Sequence, residues 1–96
     1  MLCGGTGAAH AADDTVKGVF AKISSAFAEA IGANAADVSA ENIVNYKSQV
    51  VAGMNFFIKI KVGSKFYAAR VYRQLDGSVE LADQKEIKAD EEIAYF

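Results

Sequence analysis

The stretch MNFFIKIKVGSKFYAARVYRQL, residues 54–75, decides the fold. Along its first half apolar residues alternate with polar ones, which is the period of a strand with one buried face. Gly63 lies within VGSK at 62–65 and can take the positive φ that a tight hairpin turn uses. Residues 66–75 again read as a strand, so the stretch predicts an antiparallel hairpin.

Further strands are predicted on both sides of this hairpin. LDGS at 75–78 is a second turn signal, followed by a strand from Val79 to about Ala82. EIAYF at 92–96 predicts a short final strand. Upstream, a strand begins near Asn42, and one of its faces carries Val44, Tyr46, Ser48 and Val50. Four cationic side chains are expected on a solvated outer face of the sheet: Lys59, Lys61, Arg70 and Arg73.

One helix is predicted before the strands. Apolar residues recur at spacings of three and four from Val16 to Ile31, with Asp13 or Asp14 as N-cap and Gly32 at the end. One helix followed by an antiparallel meander predicts an α+β fold, a four- to five-stranded sheet wrapped around one long helix. We expect a single domain over residues 1–96, with residues 1–12 as a flexible N-terminal trunk.

The composition excludes several function classes. A net charge of -2 is too small to steer nucleic acid, and no apolar run is long enough to span a membrane. One cysteine and one histidine cannot supply a zinc site or an internal disulfide, and we expect no cofactor. No acid–base or nucleophilic set is present, so we expect no enzymatic activity. Without a secretory signal pattern, the sequence predicts a cytoplasmic location.

The sequence QVVAG at 49–53 places β-branched side chains where the chain must turn back. Two interpretations are open. Val50 and Val51 either fold back into the core, or they stay exposed as a contact surface. A tight turn through two valines would also store local strain. Leu2 and Cys3 lie in a tail that has no core to join.

These residues resemble the cystatin superfamily, and within it the stefin branch. The resemblance spans the whole chain: MLCGG at the start, YKSQVVAGMNFFIKIKVG in the middle and DEEIAYF at the end are similar to stefin segments. It implies a reversible, tight-binding, competitive inhibitor of papain-like cysteine proteases such as cathepsins. The alternative is a non-inhibitory protein-binding module of the same fold.

The resemblance also implies a protease-binding wedge made of the trunk and two hairpin loops. Leu2 and Cys3 would fill non-primed subsites, and Gly4 would let the chain bend past the catalytic cysteine. The residues implied in protease binding are Leu2, Cys3, Gly4, Gln49, Val50, Val51, Ala52, Gly53, Leu75, Asp76 and Gly77. The second hairpin departs from the stefin pattern, because Leu75 is followed by Asp76-Gly77 rather than by proline. The family further implies a monomer that can form a domain-swapped dimer through the QVVAG hairpin.

Overall fold

The structure is a computed structural model that describes residues 9–94. The helices and strands, in chain order, are β1 (His10–Ala11), α1 (Asp14–Ala21), α2 (Ser24–Ile31), β2 (Ile43–Val51), β3 (Gly53–Val62), β4 (Lys65–Arg73) and β5 (Val79–Ile87), with two short 3-10 turns at Ala35–Asp37 and Ala40–Asn42. The five strands form one antiparallel sheet in the order β1-β2-β3-β4-β5. Each strand therefore pairs with the next one along the chain, and the predicted α+β class is confirmed.

The main core lies between the helices and one face of the sheet. Alternation along β3 and β4 turns every second side chain toward the helices. The buried residues of this inner face and of the helical stripe include Val16, Val19, Phe20, Ile23 and Phe27 from the helices, and Phe56, Ile58, Ile60, Ala69 and Val71 from the sheet. The rings of Phe20 and Phe27 meet edge to face with their centroids 5.5 Å apart, which fixes how the helices pack.

The predicted helix is present but is interrupted after its second turn. The Lys22 and Ile23 N–H groups donate to carbonyls three residues back, at 3.3 and 3.0 Å, so the chain tightens locally into a 3-10 turn. The Ser24 hydroxyl donates to the Ala21 carbonyl at 3.3 Å and holds this irregular turn. The predicted ends are confirmed: Asp13 is the N-cap, and Gly32 ends the helix with a φ of 75°.

A β-bulge in β2 changes one predicted inward residue. Ile43 pairs with Ile60 and Asn45 pairs with Lys59, so Val44 has no partner of its own on β3. Because of this extra residue, Val44 is 42% exposed instead of facing the core. The prediction that Val44 shares the buried face of Tyr46 is wrong for this reason.

The outer face of the sheet is partly covered by the C-terminal segment. Ile93 is buried there in a second apolar cluster with Phe57, Ala68 and Ile87. Lys59 is only 7% exposed, and its Nζ donates to the carbonyls of Ala89 and Glu91 at 2.7 and 2.9 Å. Lys59 is therefore not the solvated side chain that was expected. The strand predicted at 92–96 is absent over residues 92–94, and residues 95 and 96 lie outside the described part.

Arg73 lies on the other face from the one predicted. It pairs with Met54 across β3 and β4, and Met54 belongs to the inward-facing series. Its guanidinium lies over the Phe56 ring at 5.3 Å from the centroid and donates to the Met54 sulfur at 3.3 Å.

The β5 strand is also longer than predicted, because it continues to Ile87. Within residues 9–94, no helix has both the length and the apolar character that crossing a membrane requires.

Candidate functional site

Two hairpins lie side by side at one end of the sheet. In a meander the β2–β3 and β4–β5 connections fall at the same end, because β2 and β4 run in the same direction. A cleft of about 180 Å³ separates them and is lined by Gly53, Met54, Arg73, Gln74 and Leu75. Three of the four large apolar side chains that are exposed in the described part of the chain lie on these hairpins: Val50, Val51 and Leu75. We call these three residues the apolar edge.

The β2–β3 hairpin turns at Ala52 and Gly53. Val51 is paired with Gly53 and Ala52 is the tip, while Gly53 takes a φ of 110°, which only glycine adopts readily. Val50 is 67% exposed and Val51 is 44% exposed, so the interpretation that they fold into the core is wrong. Both valines are strand residues, and no residue other than glycine in the described part has a positive φ. The expected strain at the valines is therefore absent.

Side chains from neighbouring strands support this tip. The Tyr72 hydroxyl of β4 donates to the carbonyl oxygen of Ala52. The Asn55 amide donates to the Gln49 side-chain oxygen at 3.4 Å, across β3 and β2. Sequence reasoning did not identify Tyr72, because only the strand register reveals that it stands beside Asn55 and reaches the tip.

The β4–β5 turn presents Leu75, which is 86% exposed. Asp76 fixes the turn, since its carboxylate accepts from the Ser78 N–H at 2.9 Å and from the Ser78 hydroxyl at 2.7 Å. These hydrogen bonds, with the backbone one largest, lower the pKa of Asp76. Gly77 takes a φ of 91°, and the Gln74 N–H donates to the Ser78 carbonyl. The turn is therefore rigid although it carries no proline.

The strand β1 follows the third predicted segment in the chain and runs away from the end that carries the two hairpins. His10 pairs with Tyr46 and Ala11 with Asn45, and β1 is antiparallel to β2, so the chain enters β1 from the direction of the β2–β3 tip. The prediction of a flexible trunk through residue 12 did not include this strand. Leu2, Cys3 and Gly4 lie outside the described residues. Val51 lies five residues beyond Tyr46, the partner of His10, which is roughly 17 Å along the strand. The nine residues that precede His10 would span up to about 30 Å if fully extended, so their length is sufficient to reach the β2–β3 tip.

The chemistry of this end is that of a contact surface. The two hairpins present apolar side chains and backbone groups, with Asp76 as the one predicted site residue that carries a charge, and that carboxylate is occupied by its own turn. Among residues 9–94, no three His, Cys, Asp or Glu side chains lie close enough to hold a metal ion. What the geometry offers is a row of exposed apolar groups on a rigid support.

Comparisons with known proteins show which family the sequence resembles. A family model described as Cystatin domain matches residues 4–94. Cystatin-A2 of Dictyostelium discoideum is 33% identical over 94 residues, covering 97% of this chain and 96% of its own length. Cystatin-B of Oplegnathus fasciatus is 33% identical over 101 aligned positions, covering 100% and 98%. Mouse Cystatin-A is 44% identical over 57 residues, which is 55% of this chain and 59% of the mouse protein.

Proposed function

The chain belongs to the cystatin family, in its stefin branch, and from this we propose that it is a reversible, tight-binding, competitive inhibitor of papain-like cysteine proteases. The observation that carries the proposal is the apolar edge. Val50, Val51 and Leu75 are exposed at one end of a sheet whose other apolar strand residues are largely buried. Exposed apolar groups on rigid hairpins are typical of a binding surface for another protein.

The proposed mechanism is obstruction of the protease cleft. Val50, Val51 and Ala52 cover the primed side, and Leu75, Asp76 and Gly77 form the second contact. A contact of roughly 1,600 Å² supports nanomolar affinity in protease–inhibitor pairs. The strands β2 and β3 stay paired as far as Val51 and Gly53, so the turn between them is held closed. This pairing opposes binding of the turn backbone in the extended form that a protease cleaves.

The trunk is the third part of the proposed wedge. Leu2 and Cys3 occupy the non-primed subsites, and Gly4 lets the chain pass the catalytic cysteine. The direction of β1 supports this assignment, because the chain reaches His10 from the end that carries both hairpins. The trunk is also long enough to extend beyond the β2–β3 tip.

Titration of papain with the purified protein, read with a fluorogenic peptide, tests the proposal. We expect competitive inhibition with a constant in the nanomolar range or below, and no effect on a trypsin-like serine protease used as control. Absence of inhibition at micromolar protein would contradict the proposal and favour a non-inhibitory binding module. Membership of the stefin branch also supports a cytoplasmic location and a monomeric resting state.

A further inference from the structure

Tyr72 connects β4 to the tip of a hairpin that β4 does not form. Its hydroxyl donates to the Ala52 carbonyl, 20 residues earlier in the chain. Ala52 is the turn residue between β2 and β3, so its carbonyl has no partner within a strand ladder. The hydroxyl therefore links the carbonyl group at the tip of the β2–β3 hairpin to β4.

Gly53 allows this contact to be close. A Cβ placed on Gly53 would collide with the Arg73 carbonyl oxygen, and it would lie 3.1 to 3.2 Å from the hydroxyl and ring of Tyr72. The positive φ of Gly53 bends the chain so that the Ala52 carbonyl faces β4. The tip is thus packed against the end of β4 as well as bonded to it.

A second polar contact continues the support across the sheet. Asn55 stands opposite Tyr72 on β3 and donates to the Gln49 side chain on β2. Gln49 precedes the two exposed valines, so both ends of the Val50–Val51 segment are fixed from the outer face. Val50 and Val51 themselves have no such anchor, because their side chains are exposed.

We propose that Tyr72 is a positioning residue that holds the β2–β3 tip in its binding shape before the protease arrives; this rests on the proposed inhibitory function. Tyr72 acts through Ala52, and the protease contact is made by the apolar edge. When a binding-competent conformation is only partly populated, the apparent affinity falls by the populated fraction. Loss of the Tyr72 hydroxyl lowers that fraction, so it slows association, whereas loss of a direct contact mainly speeds dissociation.

The test compares Tyr72→Phe with the unaltered protein in rapid-mixing inhibition of papain. One neutral hydrogen bond shifts the equilibrium that holds the tip by about three- to tenfold, so the association rate should fall by about twofold or more, up to that factor, with the dissociation rate unchanged within about twofold. Tyr67→Phe is the matched control, because Tyr67 lies on the same strand at the opposite end, where it packs against Phe27. The control should keep both rates. An effect of Tyr72→Phe on dissociation alone would make Tyr72 an ordinary contact residue and overturn the inference.

A second readout needs no protease. Amide hydrogen exchange of Val51, Ala52 and Gly53 should be faster in Tyr72→Phe than in the unaltered protein, while amides near the β3–β4 turn should be unchanged. Equal exchange at the tip would overturn the positioning role even if Tyr72→Phe associates more slowly with papain. Should the unaltered protein not inhibit papain, the proposed function fails, and the exchange measurement still decides whether Tyr72 fixes the tip.

Discussion

A substitution at Val51 tests directly whether the apolar edge contacts the protease. Val51 lies in an extended strand next to the tip, so a substitution alters the surface without altering a turn. Val51→Asp should weaken inhibition by about 2 kcal/mol or more, because a charge would be desolvated in the contact. Val44→Asp is the control, since Val44 is equally exposed on the same strand but far from the tip. A large fall in melting temperature with normal inhibition in Val51→Asp would contradict the assignment.

Asp13 is expected to make folding stability depend on pH. Its carboxylate accepts from the Val16 N–H at 3.0 Å and from the Tyr46 hydroxyl at 2.8 Å. The Val16 hydrogen bond is the largest cause of a lowered pKa, followed by that of Tyr46. A carboxyl whose pKa is lower in the folded state than the ordinary 3.8 contributes stability above that value, and the contribution is lost as the pH falls through the folded pKa.

Urea unfolding at several pH values measures this dependence. Below about pH 4 the unaltered protein should lose stability, and Asp13→Asn should show a smaller loss on the acid side because it has no carboxyl to protonate. Identical slopes for the two proteins would show that the Asp13 cap does not titrate with folding.

Among the elements, the C-terminal segment is held on the sheet by Lys59 of β3 as well as by the burial of Ile93. Lys59 donates to two carbonyls of residues 89 and 91 while buried beside Phe66. Lys59→Met should lower the free energy of unfolding by about 1–3 kcal/mol, because two part-buried hydrogen bonds are lost. Lys61→Met is the control, since Lys61 is exposed on the same strand and also lies over the Phe66 ring. Inhibition should not change in either variant, and urea unfolding that is equal for both would disprove the role of Lys59.

The trunk is the element whose proposed role rests most on the family. Deleting residues 1–4 removes two apolar side chains from the proposed contact, so the dissociation rate should rise by on the order of tenfold. The melting temperature should stay the same, because the pairing of His10 and Ala11 with β2 is kept. Equal dissociation rates for the full and shortened chains would remove the trunk from the mechanism.

The positions of the helix and of the main strands could be predicted from the sequence, but which of their side chains are buried could not be predicted at every position. The alternation of apolar and polar residues from Met54 to Val62 predicts β3, and the glycine-containing turns predict the hairpins, because both patterns lie within a few consecutive residues. The bulge at Val44 depends on pairing with β3, and the burial of Lys59 depends on a segment 30 residues away. Neither is visible in a local pattern.

The same distinction applies to the site. From the residues alone the exposure of the valines stayed open, and the resemblance to stefins favoured it, whereas Tyr72 sits in an ordinary strand pattern and its role appears only when β3 and β4 are in register. The helix interruption at Lys22 and Ile23 was likewise hidden, because the apolar stripe continues through it.

At the scale of the whole molecule, the β2–β3 hairpin connects the helices and β2 to the other three long strands. We propose that it acts as a hinge for domain swapping, in which β2 and β3 become one continuous strand and every core contact is remade with a second copy. Val50 and Val51 are already extended, so only Ala52 and Gly53 need a new backbone conformation. The bond from Tyr72 to Ala52 opposes this opening.

Heating a concentrated solution near the unfolding transition should produce a dimer on size-exclusion chromatography. The dimer should not inhibit papain, because a straightened hairpin has no tip. Tyr72→Phe should increase the dimer, because the hydrogen bond that opposes the opening is lost. A dimer that inhibits as well as the monomer would place the hinge elsewhere.

The order of the strands has a kinetic consequence. Since each strand pairs with its successor, both turns of the apolar edge are assembled from residues that are near one another in sequence, and short sequence separation favours rapid folding. In dilute solution a heat-unfolded chain meets its own neighbouring strands sooner than it meets another molecule. Both hairpins of the edge can therefore re-form from local contacts, and the encounter frequency between chains decides whether refolding ends in one molecule or two.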